Sequence, residues 1–536
     1  MDSRALAFRQ LPHQPKLFLD YLDHFDGVKS FYAHPPAFAA VKKVARKVGY
    51  PQERRAEVAA ILREQNRALG VGDAALENLR RFENGAVAVV SGQQVGLFGG
   101  PAYAIYKALT AIAIAAELTE QGIEAVPIFW MATEDHDLDE VRHAALFSDG
   151  RLKRFELPMV EGDRPVGGIK LGAEVTEQAR ELADFLANQG SGLLAQAIRE
   201  TYRPDETYGG AFGRLFAKLF SEQGLIFLDP LDAKLHRCAA PVYRKAVEER
   251  DALNEMLLQR GKDLDTAGYA VQVKVTAKST LLFYMGDGPR EVISASGAKF
   301  QAGARSWTRA ELAGAVDAHP EHFSPNALFR PVVQDYLLPT AAYVGGPAEI
   351  CYFAQSEVIY SKVLGRMPVM LPRAGFTIVD ARAAKLLKRY DFEVEDIWSG
   401  PQAVKSRLEC KSVPAGVAKT FEKSQKEFKR MLAQLEKQIA KVDPTLQGSV
   451  ETAKKKIDYQ LEKLRKKVGR AQDMRNGILA EQEEYLESLL YPHKGMQSRE
   501  LCPLPFLARL GAGGLNELQK LSGSKKLGHH FVVQLP

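Results

Sequence analysis

The chain has 536 residues, of which 46% are hydrophobic and 26% charged, a composition that is typical of folded globular proteins and excludes a largely disordered chain. The formal net charge of +6 is small for this length, so it gives only weak support for a nucleic-acid or anionic-membrane partner, and an anionic small molecule fits equally well. No apolar run of about 18 residues occurs, and charged residues and prolines interrupt the N-terminal segment; we therefore expect a cytoplasmic protein with no membrane partner.

Amphipathic helical patterns dominate the first part of the chain. Apolar residues recur with helical spacing over 36–48, 52–69 and 74–81, and loops separate these stretches. We predict an N-terminal helical region, residues 1–84, that packs on the core that follows.

The pattern changes at residue 85, where short apolar runs begin to alternate with helical ones. Strands are predicted at 86–90, 126–130 and 224–228, and helices at 103–120 and 212–223. This alternation is typical of an α/β fold in which helices cover a parallel sheet. We predict such a core over 85–380, with inserted segments near 145–200 and 268–330 that shape a substrate pocket.

The first strand of this core runs into a glycine-rich loop and a helix, within GAVAVVSGQQVGLFGGPAYAIY. Glycines let a backbone approach a ligand closely, and a helix that begins near Pro101 offers N–H groups to an anion. The two glutamines can hydrogen-bond a sugar or a carboxylate. We predict a substrate-binding loop; the alternative is a turn that serves packing alone. The candidate residues are Ser91, Gln93, Gln94, Gly96, Gly99, Tyr103 and Lys107.

The second strand ends in an acidic cluster, Glu134, Asp135, His136 and Asp137. Adjacent parallel strands would bring this cluster and the glycine loop to the same sheet edge. The cluster can be interpreted as a metal site, as a general base, or as an anchor for an ammonium group, and a regular second histidine for a metal is missing. We predict that these four residues bind and deprotonate an amine, with His136 as the base; capping of a helix N-terminus is the alternative.

Residues 381–490 have a different pattern. Apolar residues recur in steps of three and four between many Lys, Arg, Glu and Gln residues, as in a coiled coil. Asp443 and Pro444 interrupt the series and mark a hairpin turn or a kink. We predict an antiparallel helical arm that forms a homodimer, because an exposed apolar seam normally needs a partner. Its lysine-rich face is more typical of a solvated surface than of a nucleic-acid site.

The remaining segment, 491–536, returns to a mixed composition and ends in a predicted strand at 530–535, so we expect it to fold back on the core. The cysteines are single and scattered, which argues against a disulfide framework or a zinc motif. Each is predicted to be a buried apolar residue: Cys238, Cys351, Cys410 and Cys502.

Three long stretches in this order resemble the BshC family of bacillithiol biosynthesis. They are SGQQVGLFGGPAYAIYKA, PIFWMATEDHDLDEV and RPVVQDYLLPTAAYVGGPAEICYFAQ. The similarity extends over most of the chain, including the coiled-coil region and the final HHFVVQLP. Members often have Thr where this chain has Ser91, which keeps the hydroxyl.

The resemblance implies a Rossmann-like core of the nucleotidyltransferase type, related to class I aminoacyl-tRNA synthetases, and a coiled-coil domain that dimerises. It implies a cysteine ligase that joins the carboxyl of L-cysteine to the amine of glucosaminyl malate. It also implies binding of an adenine nucleotide, ATP or ADP, and leaves open whether ATP is consumed and whether a metal takes part. The HIGH and KMSKS motifs of synthetases are absent as written.

The malate part of that substrate is a dicarboxylate, which requires fixed cations. Arg330 and Arg373 lie on predicted loops at strand ends and are the candidates. A further close-approach loop that enters a helix, with Tyr343, Gly346 and Glu349, is predicted to line the same cleft.

Two other functions compete with the ligase. One keeps the fold but makes the protein an ATP-dependent aminoacyl or nucleotidyl transferase acting on RNA; the absent synthetase motifs and the small net charge argue against it. The other is a non-catalytic scaffold built around the coiled coil, against which the polar glycine loops argue.

Overall fold

The alternating apolar and helical segments form a helix-covered parallel sheet in the computed structural model of the protein. The structure describes residues 2–160, 162, 164–286, 289–411, 413–443, 446–476, 478–511 and 513–535. The described residues form two units, one within 2–146, 153–377 and 498–535 and the other within 147–152 and 378–497.

The strands, in chain order, are β1 (Asp2–Ala7), β2 (Val87–Gln93), β3 (Ala125–Met131), β4 (His143–Ser148), β5 (Arg151–Glu156), β6 (Ile226–Leu228), β7 (Ser279–Tyr284), β8 (Glu291–Ser296), β9 (Lys299–Ala302), β10 (Arg305–Thr308), β11 (Phe323–Pro325), β12 (Thr340–Gly345), β13 (Val369–Pro372), β14 (Gly375–Val379) and β15 (His529–Gln534).

The α-helices, in chain order, are α1 (Lys16–Asp23), α2 (Phe38–Ala45), α3 (Gln52–Leu69), α4 (Asp73–Glu83), α5 (Tyr103–Glu120), α6 (Leu138–Val141), α7 (Val175–Asn188), α8 (Gly192–Thr201), α9 (Tyr208–Leu219), α10 (Ala233–Glu248), α11 (Arg250–Thr266), α12 (Arg309–Ala318), α13 (Arg330–Leu337), α14 (Pro347–Val363), α15 (Ala381–Tyr390), α16 (Val394–Ile397), α17 (Pro401–Lys411), α18 (Ala415–Val442), α19 (Gln447–Asn476), α20 (Ile478–Leu490), α21 (Gln497–Glu500), α22 (Leu504–Leu510) and α23 (Gly514–Leu521).

The central sheet has the strand order β13-β12-β2-β3-β6, and all of its neighbouring strands are parallel. Its strands are continuous apolar runs because both faces of a parallel sheet are covered. Helix α5 lies against β2 and β3 and is apolar on nearly all sides, so most of its side chains are buried. The Rossmann-like core predicted for this part of the chain is confirmed.

The register of the central sheet places the polar loops together. Gln93 at the end of β2 pairs with Met131 at the end of β3, and Ser91 pairs with Val344 of β12. Gly345, the last residue of β12, pairs with Pro372 of β13. The loops that follow β2, β3, β12 and β13 therefore all begin at the carboxyl edge of the sheet, as the sequence predicts for the first two.

The second predicted insertion forms its own antiparallel sheet, with the order β10-β9-β8-β7-β11. The first contains strands β4 and β5 and, after them, helices α7 and α8. At the N-terminus the predicted helices are confirmed as α2, α3 and α4. Strand β1 was not predicted; it pairs antiparallel with β15, from Asp2↔Gln534 to Ala7↔His529.

The second unit contains helices α15 to α20, among them the predicted coiled coil. Helices α18 and α19 pack against each other, and Gln425 Nε2 donates a hydrogen bond of 3.1 Å to Asp458 Oδ1 between them. This pairing is that of a hairpin rather than of one kinked helix; Pro444 itself lies outside the described residues. On the seam Leu432 is buried, whereas Leu435 is 47% exposed in the single chain.

No helix in the described ranges is both long and apolar enough to cross a bilayer. Cys238, Cys351 and Cys502 are buried free thiols, as predicted; nothing is described for the side chain of Cys410.

Candidate functional site

A cavity of about 490 Å³ opens at the carboxyl edge of the central sheet, within the first unit. Gln93, from the end of β2, and His136, from the turn after β3, both line it. Helix α14 contributes Glu349, and the loop after β13 contributes Arg373. The cavity is therefore built from the loops that the sheet register brings together.

Lys107 lies beneath the cavity on helix α5 and is only 2% exposed. Its Nζ donates hydrogen bonds to Gly92 O at 2.8 Å and to Gln93 Oε1 at 2.9 Å, and it forms an ion pair with Glu349. Burial lowers the pKa of Lys107 below its ordinary value, and the Glu349 carboxylate opposes that effect. The lysine thus joins the end of β2 to helix α14 and gives this part of the cavity a buried cation.

Glu349 occupies the first turn of α14. Its Oε2 accepts a hydrogen bond from Gly346 N at 2.8 Å, and its Oε1 accepts one from the Tyr343 hydroxyl at 2.7 Å. Burial would raise the pKa of Glu349, but Lys107 and these hydrogen bonds outweigh burial and hold the pKa below the ordinary value. The side chain is therefore a fixed carboxylate that orders Lys107, Tyr343 and the start of the helix.

Arginines give the same side of the cavity a positive character. Arg330 donates to Gln334 Oε1 at 3.0 Å, and its guanidinium lies 5.8 Å from the ring centroid of Trp130. Burial works against its charge, but the hydroxyls of Tyr343 and Tyr352 more than offset burial, so the pKa of Arg330 is raised.

Arg373 is 7% exposed and lies 5.4 Å from the ring centroid of Tyr103. Burial, followed by the charge of Arg499, lowers the pKa of Arg373 to about 10, so the guanidinium is still cationic at neutral pH. Arg499 also lines the cavity, 6.0 Å from the Tyr103 ring centroid. An anion placed here would relieve the repulsion between the two arginines.

The turn after β3 supplies the acidic side. Glu134 is only 6% exposed, and its Oε1 is 3.5 Å from His236 Nε2. Burial, opposed by Arg290 and reinforced by Asp229, raises the pKa of Glu134 to about 8. Asp135 is half-buried, with Oδ2 accepting from Gln94 Nε2 at 2.6 Å. These contacts link the two polar turns directly.

The environment of His136 argues against the predicted base role. Arg290 Nη1 lies 3.2 Å from His136 Nδ1, and a guanidinium can only donate, so Nδ1 accepts this hydrogen bond. In the neutral ring Nε2 then carries the proton and has no lone pair for another proton. Asp135 Oδ1 lies 3.7 Å from the same Arg290 nitrogen. His136 is thus arranged as a hydrogen-bond donor to a ligand.

The glycine loop was predicted to bind an anion with its N–H groups. That prediction is wrong for the N–H groups that already donate hydrogen bonds within the protein. Gly96, Gly99 and Gly100 donate to carbonyls of the loop itself, and Gly99 N also lies 3.0 Å from the Tyr202 hydroxyl. Ala102 N, at the start of α5, donates to Leu501 O at 2.9 Å. A Cβ on Gly96 would lie 2.7 Å from the Gly100 Cα, so these glycines serve close packing.

Two other predicted residues also have structural contacts in place of ligand contacts. Ser91 is fully buried and donates to Val344 O at 2.8 Å, which joins β2 to β12. Asp137 is exposed, and its Oδ1 accepts from Glu140 N at 3.1 Å, so it caps the short helix α6. The remaining predicted residues line the cavity: Gln93, Gln94, Tyr103, Lys107, Glu134, Asp135, His136, Arg330, Tyr343, Gly346, Glu349 and Arg373.

Sequence reasoning missed Arg290 and Arg499, which lie far from the motifs along the chain. Arg290 directly precedes β8 in the second insertion, and Arg499 lies in α21. No local pattern distinguishes either from a surface arginine. In the described part of the chain the candidate metal ligands that cluster are His319, Glu321 and His322, which do not line the cavity.

Comparisons with known proteins agree with this architecture. The family model of the bacillithiol biosynthesis protein BshC matches with its N-terminal Rossmann-like domain over residues 1–374 and with its C-terminal coiled-coil domain over residues 376–534. A relative from Koribacter versatilis is 40% identical over 97% of this chain and 98% of its own length. One from Solibacter usitatus is 39% identical over 95% and 96%, and one from Salinibacter ruber 30% identical over 97% and 96%. All three bear the name "Putative cysteine ligase BshC". The chain therefore belongs to the BshC family.

Proposed function

We propose that this protein is a cysteine ligase that joins the carboxyl of L-cysteine to the amine of glucosaminyl malate and so forms bacillithiol in the last step of its biosynthesis. The observation that carries the proposal is the division of one cavity into a cationic side and an acidic side. The names of the relatives support the reaction class.

The charges of the cavity suit both ends of glucosaminyl malate. Its two malate carboxylates would contact Arg330, Arg373 and Lys107, since guanidinium groups bind carboxylates in a bidentate manner. Its ammonium group would lie near Asp135 and Glu134, and its positive charge would favour the carboxylate form of Glu134, which can then accept a proton. This arrangement holds the nitrogen at a fixed distance from the anchored malate and so presents it to an activated cysteine.

An adenine nucleotide, ATP or ADP, is part of this proposal. Amide formation from a free carboxylate is uphill in water, and ATP would supply the activated acyl group. The glycine loop does not fit a phosphate chain, because the N–H groups of Gly96, Gly99 and Gly100 donate within the protein. Lys107 and the arginines of the cavity fit anionic oxygens, whether these belong to a phosphate or to malate.

We further propose a homodimer through helices α18 and α19. Several apolar side chains of this hairpin are exposed in the single chain, among them Leu435 (47%) and Leu464 (52%). A second copy that covers these side chains would remove apolar surface from water, and covering them does not require a charged group to be buried.

The test is to incubate purified protein with glucosaminyl malate and L-cysteine, with and without ATP and magnesium, and to search for bacillithiol by mass spectrometry. We expect a product whose mass is the sum of both substrates less one water. Arg373→Met should abolish most of it, and the matched control Arg180→Met, at an exposed arginine far along the chain from the site motifs, should not. If the wild-type protein forms no product under any of these conditions, the proposal is wrong.

A further inference from the structure

Glu134 and His236 form a buried pair at the acidic side of the cavity. Glu134 lines the cavity, and among the described residues no hydrogen-bond partner exists for its Oε1. His236 Nε2, on helix α10, lies 3.5 Å from this oxygen. His236 is only 2% exposed and does not line the cavity, so it does not contact a ligand there directly.

Polar and charged groups surround both side chains. The other ring nitrogen of His236, Nδ1, lies 3.4 Å from the hydroxyl of Tyr243, which is two helical turns further along α10. Glu321 and Asp232 are the nearby carboxylates that act on His236. Four charged groups from different elements surround Glu134: Arg290 before β8, Arg330 on α13, Asp229 after β6 and Asp135 in the same turn.

Burial shifts the pKa values of the two groups in opposite directions. Burial raises the pKa of Glu134 to about 8 and lowers the pKa of His236 to about 4. The imidazole is therefore neutral, and the Glu134 carboxyl exchanges its proton in the range where an amine must also lose one.

His136 does not compete for this role, because its Nδ1 accepts a hydrogen bond from Arg290. Asp137 caps helix α6, and Asp135 accepts hydrogen bonds from Gln94 and from the backbone N–H of His136. Among the described residues of the acidic cluster, Glu134 is thus the one with a buried carboxyl oxygen that no protein group donates to.

We propose that Glu134 is the proton acceptor for the ammonium group of the nucleophile and that His236, whose Nε2 lies 3.5 Å from Glu134 Oε1, is a positioning residue for that carboxyl; this inference rests on the proposed ligase function. In the step, an N–H bond of the ammonium breaks and leaves its electron pair on nitrogen. An O–H bond forms on Glu134, and the nitrogen becomes a neutral nucleophile. No oxidant, reductant or further reactant takes part.

The test is the pH dependence of kcat, which reports groups in the enzyme–substrate complex. We expect kcat of the wild type to rise with pH as Glu134 loses its proton. Glu134→Gln should lower kcat by about 100-fold or more, and Glu134→Asp should restore part of it. The rising limb is the pH range over which kcat increases. Two different substitutions at His236 should shift this limb in opposite directions.

His236→Lys places a cation beside Glu134 and should move the limb to lower pH by about one unit or more. His236→Leu makes the site more apolar and should move the limb to higher pH, with kcat recovered at high pH. If the lysine variant does not fold, as judged by circular dichroism, the leucine variant still carries the test. The matched control is Glu487→Gln, which alters another carboxyl with an unpartnered buried oxygen and a raised pKa, outside the cavity.

Each outcome is decisive. Opposite shifts with an unchanged control support the inference. If the wild type is active, two results overturn the inference and leave the ligase function standing. One is a pH dependence of kcat that is the same in both His236 variants as in the wild type. The other is a Glu134→Gln variant that retains kcat within threefold. A wild type that forms no product overturns the ligase function, and the base assignment with it.

Discussion

Removing the ammonium group of Lys107, which joins the sheet to helix α14, should lower the free energy of unfolding of both elements. Lys107→Met deletes a buried ammonium group and leaves the Glu349 carboxylate buried with the hydrogen bonds from Gly346 and Tyr343 alone. Breaking a buried ion pair from one side typically costs about 3–5 kcal/mol of the free energy of unfolding. Glu349→Gln should cost a comparable amount, because it leaves the ammonium with neutral acceptors, Gly92 O and Gln93 Oε1.

The double variant Lys107→Met/Glu349→Gln removes both charges at once. We expect it to lose at least about 2 kcal/mol less than the sum of the two single variants, since neither charge is then left uncompensated. Hydrogen–deuterium exchange on peptides from β2 and α14 measures these free energies in the unit concerned.

The control is Lys16→Met, which deletes the lysine of an exposed ion pair with Asp20 and should change stability by less than about 1 kcal/mol. Losses that add within about 0.5 kcal/mol in the double variant would refute the reasoning, because they would mean that the two charges do not stabilise each other.

Three further outcomes are expected. Arg373→Lys should raise KM for glucosaminyl malate by roughly 10- to 100-fold in steady-state kinetics, because a lost bidentate contact is worth about 1.5–3 kcal/mol; an unchanged KM would contradict the cationic-side assignment. Asp137→Ala should lower stability by about 1 kcal/mol in a thermal melt and leave kcat within threefold, as fits a helix cap; a 100-fold loss of kcat would restore its predicted catalytic role. Leu435→Glu should convert a dimer to a monomer in light scattering, whereas Gln438→Glu, which adds the same charge off the apolar seam, should not; a dimer in both would exclude this part of the seam as the interface.

The central sheet and its site edge could be predicted because they depend on local patterns. Strand β2 begins with four apolar residues and ends in Gln93, and β3 is apolar throughout, with the polar residues Thr133 and Glu134 two and three positions after its end. Parallel pairing then fixes which ends meet. The coiled-coil helices were predictable for the same reason, since a repeat in steps of three and four needs no knowledge of distant residues.

What the sequence did not reveal depends on contacts between distant residues. The N–H groups of the glycine loop looked available, but their acceptors and neighbours include Tyr202 and Leu501, far along the chain. Likewise, Arg290 reaches His136 from 154 residues away and changes which ring nitrogen carries the proton. Strand β1 was missed because its only shown pairing is with β15 at the other end of the chain.

The most direct test of the account is a crystal structure of the protein with glucosaminyl malate. We predict that the malate carboxylates lie within hydrogen-bonding distance of Arg330 and Arg373, and that the amine lies on the side of Glu134 and Asp135. A substrate bound outside this cavity, or bound within it with its carboxylates toward Glu134, would contradict the account.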